Sequence, residues 1–207
     1  SVFQGDLSLE TGQAYTVAAV GELGDMADRP FEPLVLTDDD ASPGEDTARL
    51  RVVHASPDAP AVDVTVASSG DALFDGVAFG DSGYVEVPAG EYTLQVRGDT
   101  ASNDGDVAAS FDVDLAGGQV YTAFAAGYLS PDDDPTDTAF DLVVAQDTEG
   151  GMSDAGMASL RVAHLSPNAP NVDVYADGSA VLEDVPFGAV SDYLDLSAGT
   201  HTVEITA

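Results

Sequence analysis

The sequence predicts an all-β protein made of two tandem antiparallel β-sandwiches. Three observations lead to this fold class. Short segments rich in valine, leucine and aromatic residues alternate with turn residues along the chain, and no stretch keeps a helical period. In addition, LRVVHASPDAPAVDV at 50–64 returns almost letter for letter as LRVAHLSPNAPNVDV at 160–174, and a long internal repeat indicates a fold that is built more than once.

One complete unit of the repeat occupies residues 48–147. Its predicted strands are RLRVVHA, AVDVTVA, ALFDGVAF, YVEVP, YTLQV, SFDVDL, VYTAFAAG and AFDLVVAQ. In the second of them, valines at 62, 64 and 66 alternate with Asp63 and Thr65, the period of two that turns one face to a core and the other to water. Seven or eight such strands at this spacing indicate an antiparallel β-sandwich.

The remaining residues supply two halves of a second unit. Residues 158–207 repeat the first strands of the complete unit, and 1–39 repeat its last ones, since DLSLETGQAYTVAAVGEL matches DVDLAGGQVYTAFAAGYL. Half a sandwich leaves an apolar face and unpaired strand edges, so each half must find its complement. We expect this within one chain, head to tail between neighbouring chains, or within a longer tandem array. Acidic linkers are predicted at 40–47 and 148–157.

The charge of the chain is extreme, with 38 acidic residues against five arginines, no lysine and a net charge of -33. Because 44% of the residues are hydrophobic, this composition indicates a folded protein with an acidic surface and argues against disorder. Such a surface repels itself at low salt and is screened in molar salt, so it resembles the surfaces of proteins from salt-loving archaea. Nucleic acid is not expected as a partner. The absence of cysteine excludes disulfides and thiolate chemistry, and no apolar run is long enough for membrane insertion.

The repeated motif contains a histidine, a serine, two prolines and an aspartate. Histidine, serine and aspartate are the residue types of a hydrolytic triad, but no glycine-framed nucleophile turn is present and the second copy replaces Asp58 by Asn168. A rigid crossing between two strands, whose histidine and serine bond backbone groups, is the more economical interpretation. We therefore predict no catalytic residue and no enzyme activity. The motif residues with a predicted structural role are His54, Ser56, Pro57, Pro60 and Asp63, and in the second copy His164, Ser166, Pro167, Pro170 and Asp173.

A tyrosine follows a leucine and a glycine-containing turn in both copies, at Tyr15 and at Tyr121. This pattern resembles the tyrosine corner of immunoglobulin-like sandwiches, in which the hydroxyl bonds to backbone a few residues upstream. The alternative is a tyrosine that is simply favoured in a strand. The pattern extends the predicted fold class to an immunoglobulin-like sandwich.

Three acidic loops contain oxygen ligands of the kind that calcium takes, at 38–40, 103–106 and 130–137. None has the ligand spacing of an EF-hand, and acidic runs in so acidic a chain are usually solvated surface. We therefore predict no metal site and no cofactor, with calcium as the alternative. His201 has no companion ligand nearby in the sequence and is predicted to be a surface strand residue.

The strings HASPDAPAVDV and HLSPNAPNVDV, followed by GVAFG and by a Tyr-x-x-x-x-Ala-Gly pattern, resemble the secreted repeat module called domain of unknown function 4397. The resemblance covers nearly the whole chain apart from the two linkers. It implies a β fold and a location on bacterial or haloarchaeal cell surfaces. It implies no biochemical activity.

Together these observations predict a non-enzymatic extracellular structural protein of a halophilic archaeon, a repeat component of a cell-surface filament or layer. Its partner is predicted to be another copy of itself. The alternative is a cell-surface adhesion module that binds a glycan or another ligand, which the absence of tryptophan weakens. The residues predicted to assemble the halves are Leu7, Leu9, Thr202, Val203 and Ile205.

Overall fold

The chain divides into two compact units in the computed structural model. Unit 1 is Ser1–Asp40 with Glu149–Ala207, and unit 2 is Ala41–Thr148. Parts of two predicted acidic loops and most of the second predicted linker lie outside the described residues. The structure describes residues 1–24, 27–39, 41–133, 135–147 and 156–207.

The described residues form sixteen strands and one short 3-10 turn, Pro131–Asp133. Two of the strands begin inside predicted linkers, because Thr47 pairs with Pro88 and Met157 pairs with Ser197. In chain order the strands are β1 (Phe3–Leu9), β2 (Ala14–Val20), β3 (Glu32–Asp38), β4 (Thr47–His54), β5 (Val62–Val66), β6 (Ala72–Val77), β7 (Ser82–Pro88), β8 (Gly90–Gly98), β9 (Val107–Leu115), β10 (Val120–Ala126), β11 (Asp141–Asp147), β12 (Met157–His164), β13 (Val172–Ala176), β14 (Ser179–Val185), β15 (Leu194–Ser197) and β16 (Gly199–Thr206).

Unit 2 consists of two four-stranded sheets with strand orders β11-β10-β4-β7 and β6-β5-β8-β9. The apolar residues of the two sheets form one core cluster, in which Leu50 and Val52 of β4 join Val64 of β5 and Leu94 of β8. All four are almost completely buried. Burying a side chain of this size contributes roughly 1.5–3 kcal/mol, so the alternation of apolar residues along each strand is what holds the sheets face to face.

The outer face of β5 is not solvated, which corrects the prediction from its alternating pattern. Asp63 and Thr65 on this face are 0% and 1% exposed. In the loop 99–106, Thr100 N donates to Asp63 Oδ2 at 3.1 Å. Arg97 of β8 donates to Thr65 Oγ1 at 3.1 Å and to Gly105 O of the loop at 2.8 Å. The period of two therefore identified the strand, whereas the loop between β8 and β9 decides what its polar side contacts.

Unit 1 has the same arrangement, with sheets β3-β2-β12-β15 and β14-β13-β16-β1. Strand β1 pairs antiparallel with β16, where Leu7 lies opposite His201, and β2 runs parallel to β12, where Ala18 lies opposite Ala163. The N-terminal and C-terminal strands therefore share both sheets of the unit within one chain. The β1–β16 pair contains the predicted assembly residues Leu7, Leu9, Thr202, Val203 and Ile205.

The prediction of an all-β protein built from β-sandwiches is confirmed. Each unit also contains one parallel pair, β4 with β10 and β12 with β2, which the sequence pattern does not reveal. Strands of the opposite sheet intervene between β4 and β10 along the chain, so no tight hairpin forces them to run antiparallel. No helix among the described residues is long and apolar enough to cross a bilayer.

Candidate functional site

The repeated motif lies at the end of β4 and shapes the crossing to β5. His54 is fully buried, with Nε2 at 2.9 Å from Pro60 O and Nδ1 at 3.3 Å from the backbone nitrogen of Ser56. A carbonyl only accepts and a backbone N–H only donates, so this ring is neutral and carries its proton on Nε2. Both nitrogens of His54 are therefore engaged by the backbone of the crossing.

Ser56 and Asp58 attach this crossing to the loop that follows β10. The hydroxyl of Ser56 donates to Gly127 O at 2.6 Å. The carboxylate of Asp58 accepts from the backbone N–H groups of Leu129 and Ser130, each at 2.8 Å. Hydrogen bonds to an ionised acceptor are stronger than neutral ones. The motif thus ties together the ends of two parallel neighbours, β4 and β10.

Unit 1 builds the attachment with different chemistry, and the hydroxyl of Ser166 is buried there without a hydrogen-bond partner among the described residues, which corrects the prediction that it bonds a backbone group. His164 is fully buried, and its Nε2 lies 3.0 Å from Pro170 O. Asn168, which stands where unit 2 has Asp58, accepts from Leu23 N at 2.8 Å and donates to Leu23 O at 2.9 Å. A carboxylate only accepts, whereas an amide accepts and donates, so each residue matches the backbone groups that it meets.

Exchanging these two residues is expected to destabilise both units. Asp58→Asn turns an amide N–H toward a backbone N–H, and Asn168→Asp turns a carboxylate toward Leu23 O. We expect each change to lower the free energy of unfolding of its own unit by about 1–3 kcal/mol, because Asp58 loses charge-assisted hydrogen bonds and Asn168 loses a part-buried one. Urea unfolding in molar salt measures the change, and limited proteolysis assigns it to a unit. An equal loss from Asp71→Asn, a change at an exposed aspartate, would contradict the expectation.

The prolines of the motif divide into two kinds. Pro57 and Pro167 are buried at the crossings. Pro60 and Pro170 are exposed, and each supplies the carbonyl that a motif histidine binds. Because a proline ring fixes its own φ, the histidine meets a carbonyl that is held at a defined position.

The motif aspartates bond an irregular position of the neighbouring strand. Asp63 Oδ1 accepts from Gly76 N at 2.9 Å, and Asp173 Oδ1 accepts from Asp184 N at 2.7 Å. Gly76 and Asp184 both have a positive φ, at 61° and 56°, so the aspartates bind the same irregular position of β6 and β14 in the two units. Glycine adopts this backbone conformation without strain, and aspartate is among the residues that tolerate it.

Asp63 also belongs to a group of carboxylates. One oxygen each of Asp63, Asp75 and Asp99 lies within 4.8 Å of the others. Asn103, in the predicted loop 103–106, joins them: with its amide nitrogen turned inward, it donates to Asp63 Oδ2 at 3.2 Å and to Asp75 Oδ1 at 2.6 Å. These oxygens are the ligand type that calcium takes. The sequence pointed to the loop of Asn103 as a source of calcium ligands but did not group it with Asp63, Asp75 and Asp99, because Asp63 and Asp75 are distant from that loop along the chain.

Tyr15 and Tyr121 hold equivalent turns in the two units. The hydroxyl of Tyr15 accepts from Glu10 N at 3.2 Å, and that of Tyr121 accepts from Ala116 N at 3.1 Å. Both side chains are buried. Each bond spans the glycine-containing turn that precedes the strand, so each tyrosine sets the direction in which β2 or β10 enters its sheet.

Each unit contains a buried arginine that sequence reasoning missed. Arg51 is 1% exposed, and its Nε donates to Thr122 Oγ1 at 2.9 Å. Thr122 in turn donates to Asp147 Oδ2 at 2.7 Å. A signal was present in the sequence, because polar residues recur at the same positions of otherwise apolar strands in both copies. Unit 1 repeats the network with Arg161, Thr16 and Asp38.

Two sandwiches that share one motif, one turn tyrosine and one buried arginine define a β-sandwich repeat protein. The family model described as Domain of unknown function (DUF4397) matches residues 1–65, 64–175 and 158–207. The chain therefore belongs to the DUF4397 family, as the resemblance of the motif predicted. The match over 64–175 begins in β5 and ends in β13. Its boundaries therefore differ from those of unit 2, which is Ala41–Thr148. No curated protein matches the chain.

Proposed function

We propose that the protein is a non-enzymatic structural protein of the cell exterior of a halophilic archaeon, a repeat component of a surface filament or layer. The observation that carries the proposal is the make-up of unit 1, in which β16 lies between β1 and β13, and β12 lies between β2 and β15. Strands that are far apart in the chain thus form continuous sheets. Such a unit can be completed by the same chain or by a second copy, because the strand pairs are identical in both cases.

Completion by a second copy builds a chain of molecules. When β12–β16 of one copy pair with β1–β3 of the next, the contact is head to tail, and a head-to-tail contact that does not close on itself gives a fibre. The net charge of -33 opposes this association at low ionic strength. Molar salt shortens the screening length to roughly 3 Å, so a saline exterior favours assembly.

The geometry of the motif supports a non-enzymatic role. His54 is 0% exposed, and the hydroxyl of Ser56 donates a hydrogen bond to Gly127 O. A general base must reach the proton that it removes, and a serine nucleophile needs such a base to accept its proton. In unit 2 His54 and Ser56 instead hold strand ends together, and in unit 1 His164 bonds Pro170 O.

A second candidate function is the binding of a glycan or another surface polymer. A depression of about 390 Å³ on the β8–β9 pair favours it. Carboxylates can accept hydrogen bonds from sugar hydroxyls, and an aromatic ring gives apolar contact area with a polar tip. The residues around the depression are Glu91, Tyr92, Thr93, Asp112, Val113 and Asp114.

A cysteine pair across the β1–β16 junction tests the assembly. Ser8 and Thr200 lie opposite each other, with their hydroxyl oxygens 3.3 Å apart, and the chain has no cysteine of its own. In the doubly substituted variant Ser8→Cys, Thr200→Cys, a disulfide forms within one chain when unit 1 is closed and between chains when strands are exchanged. After refolding at high protein concentration in molar salt, we expect a covalent ladder on a non-reducing gel and ordered fibres by electron microscopy.

The corresponding pair in unit 2 is the matched control. Glu91 and Asp114 are opposite each other on β8 and β9, which are adjacent in the chain. Cysteines at these two positions are expected to form a disulfide within one chain and to run as a monomer. If the Ser8→Cys, Thr200→Cys variant runs exclusively as a monomer, the assembly proposal is overturned. Saturable binding of a surface glycan by those monomers would favour the second function.

A further inference from the structure

His201 is a buried residue of β16, which corrects the prediction that it lies on the surface. It is 8% exposed, with Nδ1 at 2.7 Å from Asp177 Oδ2 and Nε2 at 2.7 Å from Ser197 O. A carboxylate and a carbonyl can only accept hydrogen bonds, so both ring nitrogens must donate. A histidine that donates from both nitrogens is the charged imidazolium. The site therefore matches the protonated form of His201 and leaves one acceptor unsatisfied when the ring is neutral.

The groups around His201 connect several elements of unit 1. Asp177, in the turn between β13 and β14, also accepts from the backbone of Thr202 at 2.9 Å. Ser197 ends β15 and presents its carbonyl and its hydroxyl to Nε2. From β1, Leu7 lies opposite His201, and the carboxylate of Asp6 accepts from Thr202 Oγ1 at 3.1 Å. Asp6 bonds the neighbouring residue, whereas the carboxylate that contacts the imidazole is that of Asp177, and its negative charge favours a positive imidazolium.

Unit 2 carries an uncharged counterpart at the same position. Tyr92 follows Ala89–Gly90 as His201 follows Ala198–Gly199, and its hydroxyl donates to Pro88 O at 2.6 Å. The counterpart of Asp177 is Ala67, since each donates its N–H to the equivalent carbonyl at 2.9 Å. Unit 2 therefore has neither an imidazole nor a carboxylate at the two positions that His201 and Asp177 occupy in unit 1.

We propose that His201 and Asp177 form a proton-dependent clasp through which unit 1, but not unit 2, loses stability as the pH rises above the neutral range. The clasp connects Asp177, in the turn before β14, and Ser197, at the end of β15, to β16, the strand that pairs with β1. Its loss loosens β16, the strand that joins the N-terminal and C-terminal parts of the unit. The proposal concerns the stability of unit 1 and holds whether that unit is completed within one chain or between copies.

The direction of the effect follows from the hydrogen bonds. The bond to Ser197 O and then the bond to Asp177 raise the pKa of His201, and the bond to His201 lowers the pKa of Asp177. A group whose pKa is raised by folding stabilises the fold fully below its unfolded pKa, about 6.5, and this contribution is lost as the pH rises through the folded pKa. His164 acts in the opposite direction, because burial lowers its pKa and its contribution is lost as the pH falls below about 6.5.

Hydrogen exchange of the full chain in molar salt tests the clasp. We expect the protection of β16 amides, corrected for intrinsic exchange, to fall roughly two- to fivefold between pH 6 and pH 9, the range for an ion pair with one exposed partner. Protection of the β8 amides, the internal control, is expected not to fall over this range. In His201→Tyr, which introduces the residue of unit 2, the fall in β16 protection with rising pH is expected to disappear. In Asp177→Asn, which keeps the bond to Ser197 O, this fall is expected to become smaller. The same dependence in these variants, or none in the unsubstituted protein, would overturn the proposal.

A titration of the histidine side chains by nuclear magnetic resonance gives an independent measurement. We expect His201 to titrate above its ordinary pKa of about 6.5 and His164 to titrate below its own. This measurement needs no variant and so is unaffected by any failure of a variant to fold. A pKa for His201 at or below the ordinary value would show that the site does not prefer the imidazolium and would refute the clasp.

Discussion

Removal of residues 1–39 is expected to unfold the C-terminal strands of the protein completely while leaving unit 2 intact. One core cluster of unit 1 combines Tyr15 and Val17 of β2 with Leu160 of β12, and another combines Ala19 with Ile205 of β16. Without the first three strands these apolar faces have no cover and β12 and β16 each lose a neighbour. Limited proteolysis with mass spectrometry is expected to show rapid cleavage throughout 157–207 and resistance across 47–147.

A cut that removes no strand is the control for this deletion. Cleavage at a protease site introduced within 148–155 breaks the covalent connection between the C-terminal strands and the rest of the chain. The β1–β16 and β2–β12 pairs remain available in the cut protein. We expect the two fragments of this cut protein to elute together and to resist further proteolysis. Equal resistance of 157–207 with and without residues 1–39 would show that the C-terminal strands fold independently, and the proposed assembly would fail with that result.

Arg51→Ala is expected to lower the free energy of unfolding of unit 2 by about 3–5 kcal/mol, because it leaves a buried carboxylate without its cation. Arg51 lies 3.9 Å from Asp147 and contacts it through Thr122, and its guanidinium also lies 5.0 Å from the centre of the Tyr84 ring. Urea unfolding in molar salt, followed by circular dichroism, measures this loss. Urea is uncharged, so it leaves the ionic screening unchanged.

Arg49→Ala is the matched control on the same strand. Arg49 lies over the same Tyr84 ring, at 5.3 Å, but it is half-buried and donates to Ala41 O at the edge of the unit. We expect this change to cost about 1 kcal/mol or less, as is usual for exposed charges. A similar loss from both variants would mean that contact with the ring, and not the buried pair with Asp147, accounts for the effect of Arg51.

The strands and the motif crossings could be predicted because their signals are local. The valines of β5 recur with a period of two, and the proline-framed motif keeps its register over two copies, so both follow from neighbouring letters. The buried polar groups could not be predicted in this way. Arg51 and Thr122 are 71 residues apart, and His201 and Asp177 are 24 apart, so neither partner can be identified from the residues around the other.

The sequence by itself determined the class of the fold, the position of the strands and membership of the family, because apolar periodicity and a long repeat are properties of the order of residues. Only the tertiary structure decided that β4 and β10 run parallel, that a loop covers Asp63, and that His201 meets a carboxylate. These features depend on which distant segments approach one another. That choice is made by the packing of two sheets and by the need of each buried polar group for a partner.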